Sequence, residues 1–152
     1  MKVCLFGGTF DPPHLGHLII AQTIFEAENF DQIVFVPAYQ PPHKNGMKIS
    51  PVDQRLEMLK IAISENPNFI MSDLEIQRKG LSYSIDTIID YKKQNNLNSD
   101  ELFYLMGSDS LKQFKKWKDT KKIIDECRVI VAIRPGFRPS DIPNWILAKI
   151  QF

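Results

Sequence analysis

Near the start of the chain, the run GGTFDPPHLGH from Gly7 to His17 gathers three glycines, two prolines and two histidines between an apolar stretch and an amphipathic one. Without side chains, Gly7 and Gly8 let backbone amides approach a bound group closely. LGHLIIAQTIFEAEN reads as a helix starting near Leu15, and the free N–H groups of its first turn favour negative charge. His14 and His17 are three residues apart, so with the helix beginning at or just before them both rings lie on one side and face the same oxygens. The chemistry this suits is phosphate binding. Neither GxxxxGK[ST] nor GxGxxG is present, so it is not one of the two commonest phosphate loops. Zinc ligation by the pair has little support, because HxxxH with an adjacent glutamate is absent and no cysteine is near in sequence. The remaining alternative is a turn merely shaped by glycine and proline, with the histidines capping the helix.

Such a turn must sit on a rigid frame. Strand candidates are residues 2–6, 32–37, 69–76, 102–106 and 128–133, and the first is expected to stop at Gly7 and Gly8. Between them run segments of helical period, marked by Leu18, Ala21 and Phe25, by Val52, Leu56, Leu59 and Ile63, and by Ile85, Ile88 and Ile89. Runs such as QIVFVP and RVIVAI lack polar alternation, as expected of strands covered on both faces. The predicted fold is α/β, a doubly wound parallel sheet, in which ligands bind beyond the carboxyl ends of the strands. Ser50, Pro51 and Asp53 predict a helix start with a serine cap and an acid in the first turn. Residues 39–47, YQPPHKNGM, form the one long irregular connection and carry His43 and Lys44, and loops of that length often serve function.

The bulk numbers narrow the partners. With 152 residues, 43% hydrophobic and 24% charged, the chain is expected to fold as one domain over residues 1–152. A net charge of +1 gives no global attraction to nucleic acid or membrane, so anion binding must be local. The lysines between Lys112 and Lys122 are read mainly as one solvated helix face and its exit, and no RNA-binding motif accompanies them. Cys4 and Cys127 lie in apolar runs read as strands, which favours buried free thiols in a reducing compartment. No signal peptide and no run of the length that spans a bilayer is found, and the expected location is the cytoplasm.

GGTFDPPHLGH resembles the GxFDPxHxGH signature of the nucleotidylyltransferase superfamily. Within it the chain most resembles the bacterial nicotinate-nucleotide adenylyltransferases, through PPHK at 41–44, DLEIQRKGLSYSIDT at 73–87, MGSDSLKQFKKW at 106–117 and AIRPG at 132–136. The resemblance implies a Rossmann-like nucleotidyltransferase fold and adenylyl transfer from ATP to nicotinate mononucleotide, in the synthesis of NAD. Pantetheine-phosphate adenylyltransferase is the weaker match, since it normally carries threonine where this chain has His14. A nucleotide-binding relative without turnover is the other alternative. The family's late ISSTxIR motif has no counterpart after Gly136, and the expectation is a truncated chain lacking that segment.

The resemblance also implies roles. The phosphate of nicotinate mononucleotide attacks the α-phosphorus of ATP in line and pyrophosphate leaves, so the protein supplies positioning and positive charge. His14, His17 and Lys44 are the implied catalytic residues. Amides near Gly7, Gly8, Thr9 and Phe10 hold nucleotide phosphates, and magnesium arrives on the triphosphate, with no protein side chain as its ligand. Thr9 either binds substrate through its hydroxyl or only tolerates the turn, and Asp11 is expected to fix the loop. Tyr83, Ser84 and Trp117 are placed around the pyridine ring, where donors would prefer an acid to an amide, and Thr87 is a further substrate-binding residue. Gly107 and Asp109 lie at a strand end suited to ribose, with Asp109 alternatively a helix cap, and Arg134 reaches the adenosine part or a phosphate. A homo-oligomer is compatible with the sequence and not specified by it.

Overall fold

A computed structural model describes residues 1–44, 46–133, 143, 146 and 148–151, with the side chains of Lys44 and of 148–151 outside the description. Strand β1 (Val3–Gly8) includes both glycines and ends at Gly8, and helix α1 (Leu15–Glu28) follows after the turn. Then come β2 (Gln32–Pro37), a 3-10 turn (Pro42–Lys44), α2 (Val52–Ile63) and β3 (Phe69–Met71). Helices α3 (Leu74–Arg78) and α4 (Ser84–Gln94) lead to β4 (Leu102–Gly107). Helix α5 (Ser108–Gln113), a second 3-10 turn (Phe114–Lys116), α6 (Thr120–Glu126), β5 (Arg128–Ile133) and β6 (Ala148–Gln151) complete the order.

The strands form one parallel six-stranded sheet in the order β3-β2-β1-β4-β5-β6. The order reverses between β1 and β4, so a crevice opens there at the strand ends, as the doubly wound expectation requires. Side-chain alternation divides the apolar residues between two cores. Val3, Leu5, Val34 and Val129 point to the face covered by α4 and α6, and Cys4, Phe6, Phe35 and Ile130 to the face covered by α1 and α2. Both thiols are buried and free. Burial pushes them up, that of Cys127 to about 12.

Several expectations are corrected. β3 stops at Met71 rather than running to Ile76, because it is an edge strand that pairs only with β2, and Leu74–Arg78 turns into a helix that buries Glu75. Its apolar alternation, Leu74 and Ile76, does not distinguish a strand from one helical turn. Cys127 ends α6 instead of lying in β5. Ser50 does not cap α2: Pro51 takes that position, and Ser50 instead donates its N–H to Asp11 Oδ2 at 2.8 Å. β6 was not foreseen, since AKIQ is too short to carry a pattern.

Candidate active site

The turn between β1 and α1 is built from aromatic packing and one unusual backbone conformation. Gly7 and Gly8 are not in the left-handed region; a Cβ there would come within 3.1 Å of the Tyr104 hydroxyl and of the Phe10 ring respectively. Phe10 is the left-handed residue, φ +50°, a conformation that costs a bulky side chain about 1–2 kcal/mol. Burial offsets this strain. Its ring is 2% exposed and packs against Phe6, Phe35 and His17, with centroids 5.7, 5.7 and 5.0 Å away.

His14 is the N-cap residue of α1 and His17 lies one turn in, as the spacing predicts. The rings stack, 3.7 Å between centroids and 18° apart in plane. The His14 N–H donates to His17 Nδ1 at 3.1 Å. With Nδ1 accepting, a neutral His17 carries its proton on Nε2, leaving an N–H donor on the far side of the ring. The imidazole also rests against Phe6 at 5.8 Å, so packing on two aromatic rings fixes its orientation.

A cleft of about 500 Å³ opens at the switch point, lined among others by Phe6, Gly7, His14, His17, Gly107 and Asp109. Its volume is in the range of small-molecule sites. The structure thereby brings the histidine pair, the end of β1 and the end of β4 to one cavity. The cap position of α5 is Gly107 and no side chain caps it, so the cap alternative for Asp109 is set aside. Thr9 and Phe10 border this region through the turn, and the Thr9 carbonyl accepts from Arg55.

A second, much smaller cleft of about 40 Å³ is lined by Pro42, His43, Tyr83, Ser84, Trp117 and Lys118, with Ser82 beside them. Trp117 stacks on His43 at 6.0 Å and meets Tyr104 edge-on at 6.2 Å. Ser84 Oγ and the Tyr104 hydroxyl are 2.9 Å apart, and Lys118 Nζ lies 4.8 Å over the Tyr83 ring and 3.6 Å from Asp86. Ser82 Oγ accepts from the N–H groups of Tyr39 and Gln40, which ties the 39–47 connection to the start of α4. Thr87 does not line this cleft. It is buried; its hydroxyl has acceptors at Glu75 Oε1, 3.1 Å away, and at the Tyr83 carbonyl, 3.3 Å away, and accepts from Arg78 Nη2 at 2.9 Å, so it braces α3 against the start of α4.

The Lys44 side chain and Arg134 lie outside the described residues. Among the described residues, no group of three or more His, Cys, Asp and Glu could hold a metal ion. Arg55, 1% exposed, is the functional-site neighbour that sequence reasoning missed. Its signal was present: Arg55, Leu59 and Ile63 fall on one stripe at i, i+4 and i+8, all buried, and a charged residue on an apolar stripe is rarely buried without a task.

The sheet order and the switch-point cleft define a Rossmann-like α/β fold of the nucleotidyltransferase type. The family model described as cytidylyltransferase-like matches residues 5–151. Similar chains described as "Probable nicotinate-nucleotide adenylyltransferase" occur in Aquifex aeolicus, 43% identical over 87% of this chain and 77% of the relative, and in Geobacter metallireducens, 40% identical over 90% and 62%. The fold is shared with a Plasmodium falciparum nicotinic acid mononucleotide adenylyltransferase complexed with NaAD, at TM-score 0.79 and 19% identity, over 99% of this chain and 74% of that one. The chain belongs to the cytidylyltransferase-like family and, within it, to the family of nicotinate-nucleotide adenylyltransferases. It spans 62% of the Geobacter relative's length, less than two thirds. No helix among the described residues is long and apolar enough to cross a membrane.

Proposed function

We propose that the protein transfers the adenylyl group of MgATP to the phosphate of nicotinate mononucleotide, releasing pyrophosphate and forming nicotinate adenine dinucleotide. The observation that carries this reading is the stacked His14–His17 pair on the wall of the switch-point cleft, with His17 Nδ1 accepting the His14 N–H. An imidazole held this way suits donation to a triphosphate oxygen, and the cleft has room for a nucleotide. Attack by the acceptor phosphate on the α-phosphorus forms one P–O bond and breaks another, and the electron pair leaves with pyrophosphate. The protein's part is to hold both substrates in line and to meet charge developing on the oxygens.

Gly7, Gly8, Thr9 and Phe10 serve the nucleotide phosphates through their amides, and Gly107 with Asp109 the ribose. Lys44 brings a cation from the 39–47 connection, and Arg134 contacts the adenosine part or a phosphate. Magnesium enters on ATP as part of the substrate. The small cleft between Tyr83, Ser84 and Trp117 takes the pyridine ring, and since 40 Å³ holds little more than a water, Trp117 and His43 must separate to admit it. The reaction is placed in the cytoplasm, in keeping with two free thiols.

The test is pyrophosphate release by the purified protein with MgATP and, in parallel, nicotinate mononucleotide, nicotinamide mononucleotide or phosphopantetheine. Release with the nicotinate acceptor is expected. Release only with phosphopantetheine would replace the acceptor, and ATP binding without release from any acceptor would leave a nucleotide-binding protein without turnover.

A further inference from the structure

Arg55 is the largest fully buried side chain among the described residues, and the acceptors of its Nε and Nη1 are main-chain carbonyls rather than a carboxylate. Nε donates to Ser50 O at 3.0 Å, and Nη1 donates to Thr9 O at 3.0 Å and to Ala38 O at 2.7 Å. Those carbonyls belong to the turn after β1, the end of β2 and the approach to α2. Asp11 closes the arrangement by accepting the Ser50 N–H, while Arg55 Nη2 is buried with no protein acceptor among the described residues. Burial disfavours the guanidinium charge and Asp11 partly restores it. Packing alone would be served more cheaply by an apolar side chain of similar volume.

The geometry shows what the cation achieves. In a planar trans peptide the C=O and the following N–H point in opposite directions. The Thr9 carbonyl is drawn toward Arg55, so the Phe10 N–H of the same peptide plane points away from α2. Phe10 is also the residue held at positive φ, and successive N–H groups around such a residue form an anion-binding concavity.

We propose that Arg55 is a positioning residue for phosphate binding: by gripping the Thr9 carbonyl it fixes the Phe10 N–H as a donor to the nucleotide phosphates without touching substrate itself. The inference rests on the proposed adenylyl transfer only for its effect on turnover. Arg55→Lys keeps the charge and the stem but cannot reach three carbonyls at once. The experiment follows the Phe10 amide resonance as MgATP is added to the wild type and to Arg55→Lys, and measures kcat and both KM values. A large shift of that resonance is expected in the wild type and its loss in the variant. The variant is also expected to fold, to keep its KM for the pyridine nucleotide within about twofold, and to lose roughly 10²-fold in kcat, the order seen when one transition-state donor is lost.

A wild-type Phe10 resonance that ignores MgATP would overturn the proposal. So would a folded variant with unchanged kcat, or one that fails to fold even at low temperature with saturating MgATP, which would make Arg55 a structural residue. A wild type that shows the shift but makes no dinucleotide would remove the proposed reaction and leave the role of Arg55 standing.

Discussion

At the scale of single residues, His17, the donor of the proposed transfer, is held by its surroundings on several sides. Its Nδ1 accepts the His14 N–H, and its ring is packed against His14 and the two phenylalanines. His17→Ala is expected to keep the sheet and to lower turnover by about 10²–10³, as for other preorganised donors. Pyrophosphate release by a variant with an unchanged melting curve measures this, and near-normal turnover would remove the assigned role. The sequence made the pair visible through its spacing, because three residues on a helix start bring two rings together whatever the rest of the fold does. Arg55 was not visible in that way. Its acceptors lie 46, 17 and 5 residues away, and such long-range carbonyl contacts leave no local pattern.

Among elements, the join between α3 and α4 carries the protein's clearest pH dependence. Glu75 is 6% exposed, with Oε1 accepting from Thr87 and Oε2 buried without a partner among the described residues. Burial pushes its carboxyl up to about 7, against smaller opposing effects of the Thr87 hydrogen bond and Arg78. A carboxyl raised in the folded state holds its proton where the unfolded chain has lost it. Its stabilising protonation is therefore complete below the ordinary value of 4.5 and is lost as pH rises through 7. The loss across that window is at most about 3 kcal/mol, from 1.36 kcal/mol per pKa unit. Urea unfolding between pH 5 and 8 should show this decline in the wild type and a flatter profile in Glu75→Gln. Equal slopes in the two proteins would contradict the assignment. The sequence offered Thr87 as a substrate-binding candidate; only the packing of α3 against α4 shows that its hydroxyl meets Glu75 and Arg78.

Across the whole molecule, the sheet separates two cores that share no side chains. Ile24 of α1 and Ile88 of α4 are each fully buried on opposite faces. Ile24→Val and Ile88→Val should each cost about 0.5–1.5 kcal/mol. Their effects should add to within about 0.5 kcal/mol in the double variant, measured by denaturant unfolding, because no contact couples them. A larger discrepancy would mean that strain crosses the sheet.

The sequence by itself determined the alternation of strand and helix, the parallel sheet and the paired histidines at the first strand-to-helix turn, since hydrophobic period and glycine–histidine spacing are local properties read within a few residues. The tertiary structure alone decided that β1 takes in both its glycines, that Phe10 and not a glycine of the turn takes the left-handed conformation, that Thr87 braces α3, and that Arg55 lies beneath the turn. Each of these depends on which surfaces meet across the sheet, and residues far apart in the chain settle that only once the sheet has formed.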